Sequence, residues 1–249
     1  MCRMFLEVGR RSSEVIYRDF ISACEDYVGL KEKADVHELN SDKLLQHNDG
    51  FGYAFIQNKH YVICKNKAPI SEIKPIVTWL RINSPILLIH ARKASPGLKL
   101  GLENNHPFYW CNTDAEYVFT HNGTIKSEIK AYDKNIFEPI GTTDSERYFY
   151  VLLSKIYAKK QKLTSKMVSR IIENWDFTGC NFILANKKTV YAGVFYRETP
   201  KYYTMKLYKT EDNIVVSSAY LPNLNAEVEL LKNEDLIKID IKTHSIEHI

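Results

Sequence analysis

The chain has 249 residues, is 45% hydrophobic and 26% charged, and carries a net charge of +4 at pH 7. This is an ordinary globular composition able to bury a sizeable core, and the charge is spread without a dense basic block, which excludes a nucleic-acid footprint. The five cysteines are irregularly spaced and form no C-x-x-C pair, which excludes a zinc ribbon, a thioredoxin-type site or a disulfide framework and points to a reducing cytoplasm.

No segment reaches the ~20 apolar residues of a membrane helix, and Met4-Phe5-Leu6 is too short for a signal-peptide core. The reading is one α/β domain over residues 1–249, with no internal repeat or linker.

Residues 2–9 read as a strand: Met4, Phe5, Leu6 and Val8 precede Gly9. If Met1 is removed, Cys2 carries a thiol and a free α-amine in one residue. An α-amine titrates near ~7.7–8.0, which suits it to take the thiol proton. The plainer reading of Cys2 is a small buried residue on a first strand.

A helix follows, capped by Ser12 or Ser13, with Ile16, Phe20, Cys24 and Tyr27 at helical spacing. Residues 31–48 read as a loop or short helix. Asn48-Asp49-Gly50-Phe51-Gly52 then turns into a strand that pairs with Tyr61-Val62-Ile63-Cys64 across Gln57–His60. Residues 71–82 are predicted helical, with Ile73, Val77 and Leu80 on one face.

Ile86-Leu87-Leu88-Ile89-His90-Ala91-Arg92 is a strand buried on both faces, ending in the turn cluster Lys93–Gly97. Arg92 at its end could meet a carboxylate bidentately or form a structural ion pair. His90, His106 and His121 sit on separate segments without metal-ligand spacing, so no metal site is expected.

Tyr117–His121 is a strand ending at Asn122-Gly123. That dipeptide is a strong hairpin signal. Its functional alternative is an oxyanion hole, made by the Asn122 amide and the Gly123 N–H. Thr143 and Glu146 have capping-box spacing ahead of a helix with Phe149, Leu152, Leu153 and Ile156 in a stripe. Asp144 in its first turn complements the helix dipole or binds an ammonium group. A further helix is predicted over 164–175, then antiparallel strands at 180–186, 189–196, 202–209, 213–219 and 236–243.

Taken in order, these motifs resemble the class II glutamine amidotransferases, a branch of the N-terminal-nucleophile (Ntn) hydrolases. The resemblance runs from Cys2 through Asn48–Gly52, His90-Ala91-Arg92, Glu103-Asn104-Asn105-His106-Pro107-Phe108 and His121-Asn122-Gly123 to Thr143–Glu146. It extends more loosely to Val215–Ser218. Each motif is weak alone; five in order behind an N-terminal cysteine are specific.

The start Met1-Cys2-Arg3 is similar to a stand-alone subgroup. That subgroup includes the ergothioneine-pathway γ-glutamyl hydrolase and the amidotransferase-like subunit of a glutathione-degrading complex. Arg3 departs from the glycine usual in synthase-fused members, and Lys93 from their tryptophan.

The resemblance implies a four-layer αββα sandwich of two mainly antiparallel sheets and a chemistry without cofactor or metal. Cys2 would be the nucleophile, Asn122 and Gly123 the oxyanion donors, and Arg92 the ligand of the substrate α-carboxylate. Asp144 would bind the α-ammonium, and Ser95 would stand near the carboxylate. The expected substrate is a small molecule, glutamine or a γ-glutamyl compound, split through a γ-glutamyl thioester.

No fused synthase domain is expected, so an acceptor would come from a separate synthase or peptidase subunit, or be water. Neither nucleic acid nor membrane is an expected partner. The competing readings are an Ntn amidase for apolar acyl groups, a glutaminase subunit of a two-chain amidotransferase, and a non-catalytic scaffold subunit. The Arg92 and Asp144 pair argues against the first.

Overall fold

The computed structural model describes residues 2–25, 46–72, 76–95 and 97–249. The chain opens on β1 (Arg3–Gly9) and α1 (Glu14–Cys24), then forms β2 (Phe51–Gln57), β3 (His60–Asn66), α2 (Ile76–Arg81) and β4 (Ile86–Ala91). β5 (Phe108–Cys111) and β6 (Glu116–Ile125) follow, then α3 (Asp144–Leu153), which runs into a π-helical turn at Ser154–Ala158, and α4 (Ser165–Ile172). The rest is β7 (Phe177–Ala185), β8 (Thr189–Val194), the single turn α5 (Pro200–Tyr203), β9 (Met205–Lys209), β10 (Asn213–Ser217), β11 (Glu227–Leu231), β12 (Asp235–Asp240) and β13 (Ile246–His248).

Two antiparallel sheets result. One has seven strands in the order β11-β9-β10-β1-β4-β2-β3, the other six in the order β13-β12-β8-β7-β6-β5. The side-chain period of two divides each strand between layers. On β1, Met4, Leu6 and Val8 meet Val118, Ile183 and Val190 of the facing sheet in a core between the sheets. Phe5 points the other way, into a cluster with Tyr17 and Phe20 of α1 and Trp79 of α2. On β6 and β7, Phe119, Phe182 and Leu184 pack against Phe149 and Leu152 of α3 and Val168 of α4. Four layers, αββα, follow from this alternation. β4 is buried along its whole length because it lies inside the sheet and under helices at once.

Glu7 fastens the outer face of the first sheet to α1. Its fully buried carboxylate accepts from Ser12 N at 2.8 Å, Tyr17 Oη at 2.7 Å and Asn213 Nδ2 at 3.0 Å, and Arg11 Nη1 lies 2.8 Å away. Replacing Glu7 by Gln leaves the buried Arg11 charge without its partner and is expected to destabilise the protein by ~3–5 kcal/mol. Urea unfolding measures this; a loss below about 1 kcal/mol, the size of an ordinary surface substitution, would show that the carbonyls of Gly9 and Ser84 suffice for Arg11.

Several expectations are corrected. Asn122-Gly123 is no hairpin turn: β6 runs through it, with Asn122 opposite Asn181 and Gly123 opposite Cys180. In α2, Ile76 and Trp79 are buried while Val77 is half exposed, because the indole packs between Tyr17 and Tyr53. Ser13 stands at the N-cap of α1 without a side-chain bond, and the Ser12 hydroxyl goes to Glu7. Residues 200–203 are helical, so the strand expected from 202 starts at Met205.

β5, β11 and β13 had no counterpart in the sequence reading. They lie at sheet edges, where one-sided burial blurs the apolar pattern. The Asn58-Lys59 turn of the β2–β3 hairpin is as expected, with φ of 50° and 68°. Thr143 accepts from Glu146 N at 3.2 Å, but the Glu146 carboxylate takes the N–H groups of Ile140 and Gly141, not that of the cap. Tyr27, Ile73 and most of the 31–48 segment lie outside the described residues.

Candidate active site

Cys2 stands just before the first ladder pair, Arg3 opposite Ala91. Its nitrogen donates to Asn122 Oδ1 at 2.7 Å, across 120 residues of sequence and between the two sheets. Its sulfur lies 3.6 Å from the Lys93 carbonyl, and its own carbonyl accepts from Tyr202 Oη at 2.8 Å. Thus nitrogen, sulfur and carbonyl each meet a different segment: β6, the loop after β4, and α5.

Asn122 is fully buried. Its amide oxygen is used by Cys2, while its Nδ2 has no hydrogen-bond partner among the described residues. A buried amide donor without an acceptor costs about 1–3 kcal/mol, so the group calls for an explanation. An acceptor oxygen on a substrate bound at Cys2 would satisfy it.

Gly123 has φ +155°, and a Cβ there would lie 1.7 Å from the Gly179 carbonyl oxygen. No side chain fits. The close neighbour is the backbone of β7, so sheet packing alone already requires glycine here.

Arg92 is buried at the end of β4, its backbone bonded to Gly50 and Asp49. Nη1 donates to Asn105 Oδ1 at 3.2 Å and Nη2 to the Lys99 carbonyl at 3.4 Å. Both acceptors are neutral, and no carboxylate pairs with Arg92 among the described residues, unlike the structural ion pair considered from sequence. A buried guanidinium without a counter-ion suits an anionic guest.

Asp144 is the first residue of α3. Its Oδ2 accepts from Ile125 N at 2.6 Å and its Oδ1 from Ser145 N at 2.9 Å. Ser95 Oγ meets Thr124 Oγ1 at 2.8 Å. Ser95 and Asp144 therefore converge on the two residues that follow Gly123.

A profile of the class-II glutamine amidotransferases matches residues 8–207. The chain belongs to that family. The match begins after Cys2. A Haemophilus influenzae protein named as a glutamine amidotransferase is 28% identical over 214 residues, covering 78% of this chain and 71% of its own. In fold, the chain is similar to the Bacillus subtilis glutamine phosphoribosylpyrophosphate amidotransferase solved with ADP and GMP. The TM-score is 0.64 at 13% identity, over 100% of this chain and 49% of that one, so the chain spans about half that enzyme's length. A class-II glutamine aminotransferase domain protein from Silicibacter pomeroyi superposes with a TM-score of 0.59 at 14% identity, over 100% of this chain and 98% of that one. Family membership makes this chain an enzyme of glutamine amide hydrolysis or transfer, and its two sheets and flanking helices are the Ntn sandwich.

Further residues of this amidotransferase position the site without being singled out by sequence. Asp49 Oδ2 accepts from Ala94 N at 2.7 Å and shapes the loop whose Lys93 carbonyl faces Cys2. Asn105 ties Arg92 to β3 through the Asn66 carbonyl at 2.8 Å. Asp49 lies in the Asn48–Gly52 motif and Asn105 in the Glu103–Phe108 motif, so the signal was present but unassigned.

The three histidines, distant in sequence, assemble in space. His90 and His106 stack at 3.9 Å, and His90 Nε2 lies 3.2 Å from the His121 carbonyl. His121 Nδ1 is 2.8 Å from Ser145 Oγ, beside Asp144. Burial, with nearby Arg92, pulls His90 down to about 3 against its bond to the His121 carbonyl. Burial likewise lowers His106 and His121, the latter against the pull of Asp144. They are neutral spacers at ordinary pH, bracing the strand that carries Asn122. Among the described residues no group of His, Cys, Asp or Glu is arranged to hold a metal, and no helix is long and apolar enough to cross a membrane.

Proposed function

We propose that this amidotransferase cleaves the γ-amide of glutamine or of a γ-glutamyl compound through a Cys2 thioester after loss of Met1. The observation that carries the reading is the 2.7 Å bond from Cys2 N to Asn122, whose remaining amide donor is buried and unmatched. The freed α-amine accepts the thiol proton, and the sulfur adds to the γ-carbonyl. Asn122 Nδ2 and the Gly123 N–H receive the oxyanion. The adduct collapses as the same ammonium protonates the departing nitrogen, leaving the thioester. Water, losing its proton to the amine, attacks the thioester; glutamate leaves and the thiol is restored. Arg92 binds the α-carboxylate, with Ser95 at its side, and Asp144 binds the α-ammonium.

A second reading has support from the Bacillus subtilis relative, of which this chain spans about half. The released nitrogen would there pass to an acceptor site on another chain or domain. A cytoplasmic setting, with a separate synthase or peptidase subunit as partner, fits either reading.

The experiment is a substrate panel: glutamine, a γ-glutamyl peptide and N-acetylglutamine, with the mature N-terminus measured by mass spectrometry. Glutamate is expected from glutamine and from the γ-glutamyl peptide at comparable kcat/KM, by protein whose first residue is Cys2. Asp144→Asn should lower kcat/KM for the free-amine substrates by roughly 10-fold or more, the scale of a lost charge-assisted bond, and spare N-acetylglutamine. Equal losses on both would reduce Asp144 to its bonds with Ile125 and Ser145. Activity confined to glutamine and dependent on an added synthase would favour the second reading. Retained Met1 on active protein would overturn the Cys2 mechanism.

A further inference from the structure

We infer that Tyr202 is a positioning residue for Cys2, setting the plane of its carbonyl while Asn122 holds its nitrogen. The inference rests on Cys2 being the nucleophile. The ladder of β1 begins at Arg3, so Cys2 lies one residue beyond regular strand pairing. Once it is the terminal residue, nothing precedes it in the chain to orient it. Its nitrogen is tethered to Asn122 and its carbonyl to Tyr202, 200 residues away and buried. With the nitrogen alone tethered, the Cys2–Arg3 peptide plane could still turn and shift Cα, and with it the sulfur, about the fixed nitrogen. A second tether on the carbonyl holds that plane, so the two tethers together fix the Cα–C torsion and leave the side-chain torsion as the main freedom. Misplacing a reacting group by about 1 Å can cost roughly 10²-fold in rate.

The phenol is itself immobilised. The Arg3 guanidinium lies 4.8 Å from the centre of its ring, and the Tyr203 ring meets it edge-on at 5.1 Å and 90°. Arg3 is anchored in turn by a 2.7 Å bond from Nη1 to the Ser218 carbonyl. The α5 turn that carries Tyr202 starts at Pro200 after a left-handed Thr199, φ 49°, which fixes where the ring enters. Burial pushes the Tyr202 phenol well above its ordinary pKa, against the Arg3 charge. It therefore remains a hydrogen-bond donor throughout the working range. Among the described residues, the titratable groups that act on it are Arg3, Cys2, Tyr203 and Cys24.

Tyr202→Phe removes only the hydroxyl; Tyr203→Phe, whose hydroxyl meets Thr178, is the control. In the full chain, Tyr202→Phe is expected to lower kcat for glutamine roughly 10- to 100-fold with KM within about twofold. Alkylation of Cys2 by iodoacetamide, read by peptide mass, should slow in step, while the melting temperature stays close to wild type. Tyr203→Phe should leave both rates near wild type. Unchanged kcat and alkylation rate in Tyr202→Phe would overturn the inference alone, as would equal losses in the two variants. A wild type that releases no glutamate and is not modified at Cys2 would overturn the proposed function, and this inference with it.

Discussion

Cys2→Ala is expected to abolish γ-amide hydrolysis, a loss of at least about 10⁴-fold, since removal of a covalent nucleophile disables the whole assembly. The substitution takes away one sulfur from a small, buried site and leaves the bonds of the Cys2 nitrogen and carbonyl in place. The melting temperature should therefore hardly move. A glutamine-shaped alkylating reagent supplies the positive counterpart: it should label Cys2 in the wild type, and excess glutamine should block it. The other thiols are poor competitors for distinct reasons. Cys24 and Cys180 are buried, and burial, reinforced by Asp144, pushes the Cys180 thiol up. Cys111 is exposed at the end of the edge strand β5. Labelling at Cys24, Cys64, Cys111 or Cys180 that glutamine blocks, or residual turnover in Cys2→Ala, would end the assignment.

Asn122→Asp should lower kcat by about 10²–10³-fold, equivalent to ~2.7–4 kcal/mol of oxyanion stabilisation. Aspartate keeps the shape and the oxygen that accepts from Cys2 N, but turns the unmatched Nδ2 donor into an acceptor oxygen that, when ionised, also repels the oxyanion. Asn122→Ala removes both and should lose at least as much, with a stability loss because a fully buried amide is replaced by a cavity. The two variants separate the two halves of one side chain. If Asn122→Asp kept wild-type kcat while Asn122→Ala lost it, the residue would serve only to hold the Cys2 nitrogen, and the oxyanion donor would lie elsewhere.

How far the molecule was legible differs between its parts. Alternation in β1 and β6, the continuous apolar run of β4, and the stripe of Phe149 and Leu152 mark layers that bury one another. These periodicities record which face of each element meets a core; the αββα order of the layers is what the resemblance to the family implies. Edge strands such as β11, with Val228 and Leu230 about half exposed, carry no such record and went unread. The hairpin alternative for Asn122-Gly123 fails for a reason outside the local sequence: both residues favour turns, and only the approach of Gly179 to within 1.7 Å of a would-be Cβ explains the glycine in mid-strand. The chemistry-bearing residue types and their order were present in the sequence, and with them the membership of the family.

Sequence by itself thus marked the strands and helices, which depend on periodicity, while the four layers and the candidates Cys2, Arg92, Ser95, Asn122, Gly123 and Asp144 came with the resemblance of the ordered motifs to the family. Tertiary structure alone decided their pairing. It set Cys2 N against Asn122 Oδ1 across two sheets, left Arg92 among neutral acceptors instead of in an ion pair, and stacked His90 on His106 below. It also brought Tyr202 out of an expected strand onto a helical turn under Cys2. Hydrogen bonds between residues 120 and 200 positions apart arise from how layers stack, and nothing in the local pattern of either partner encodes the other.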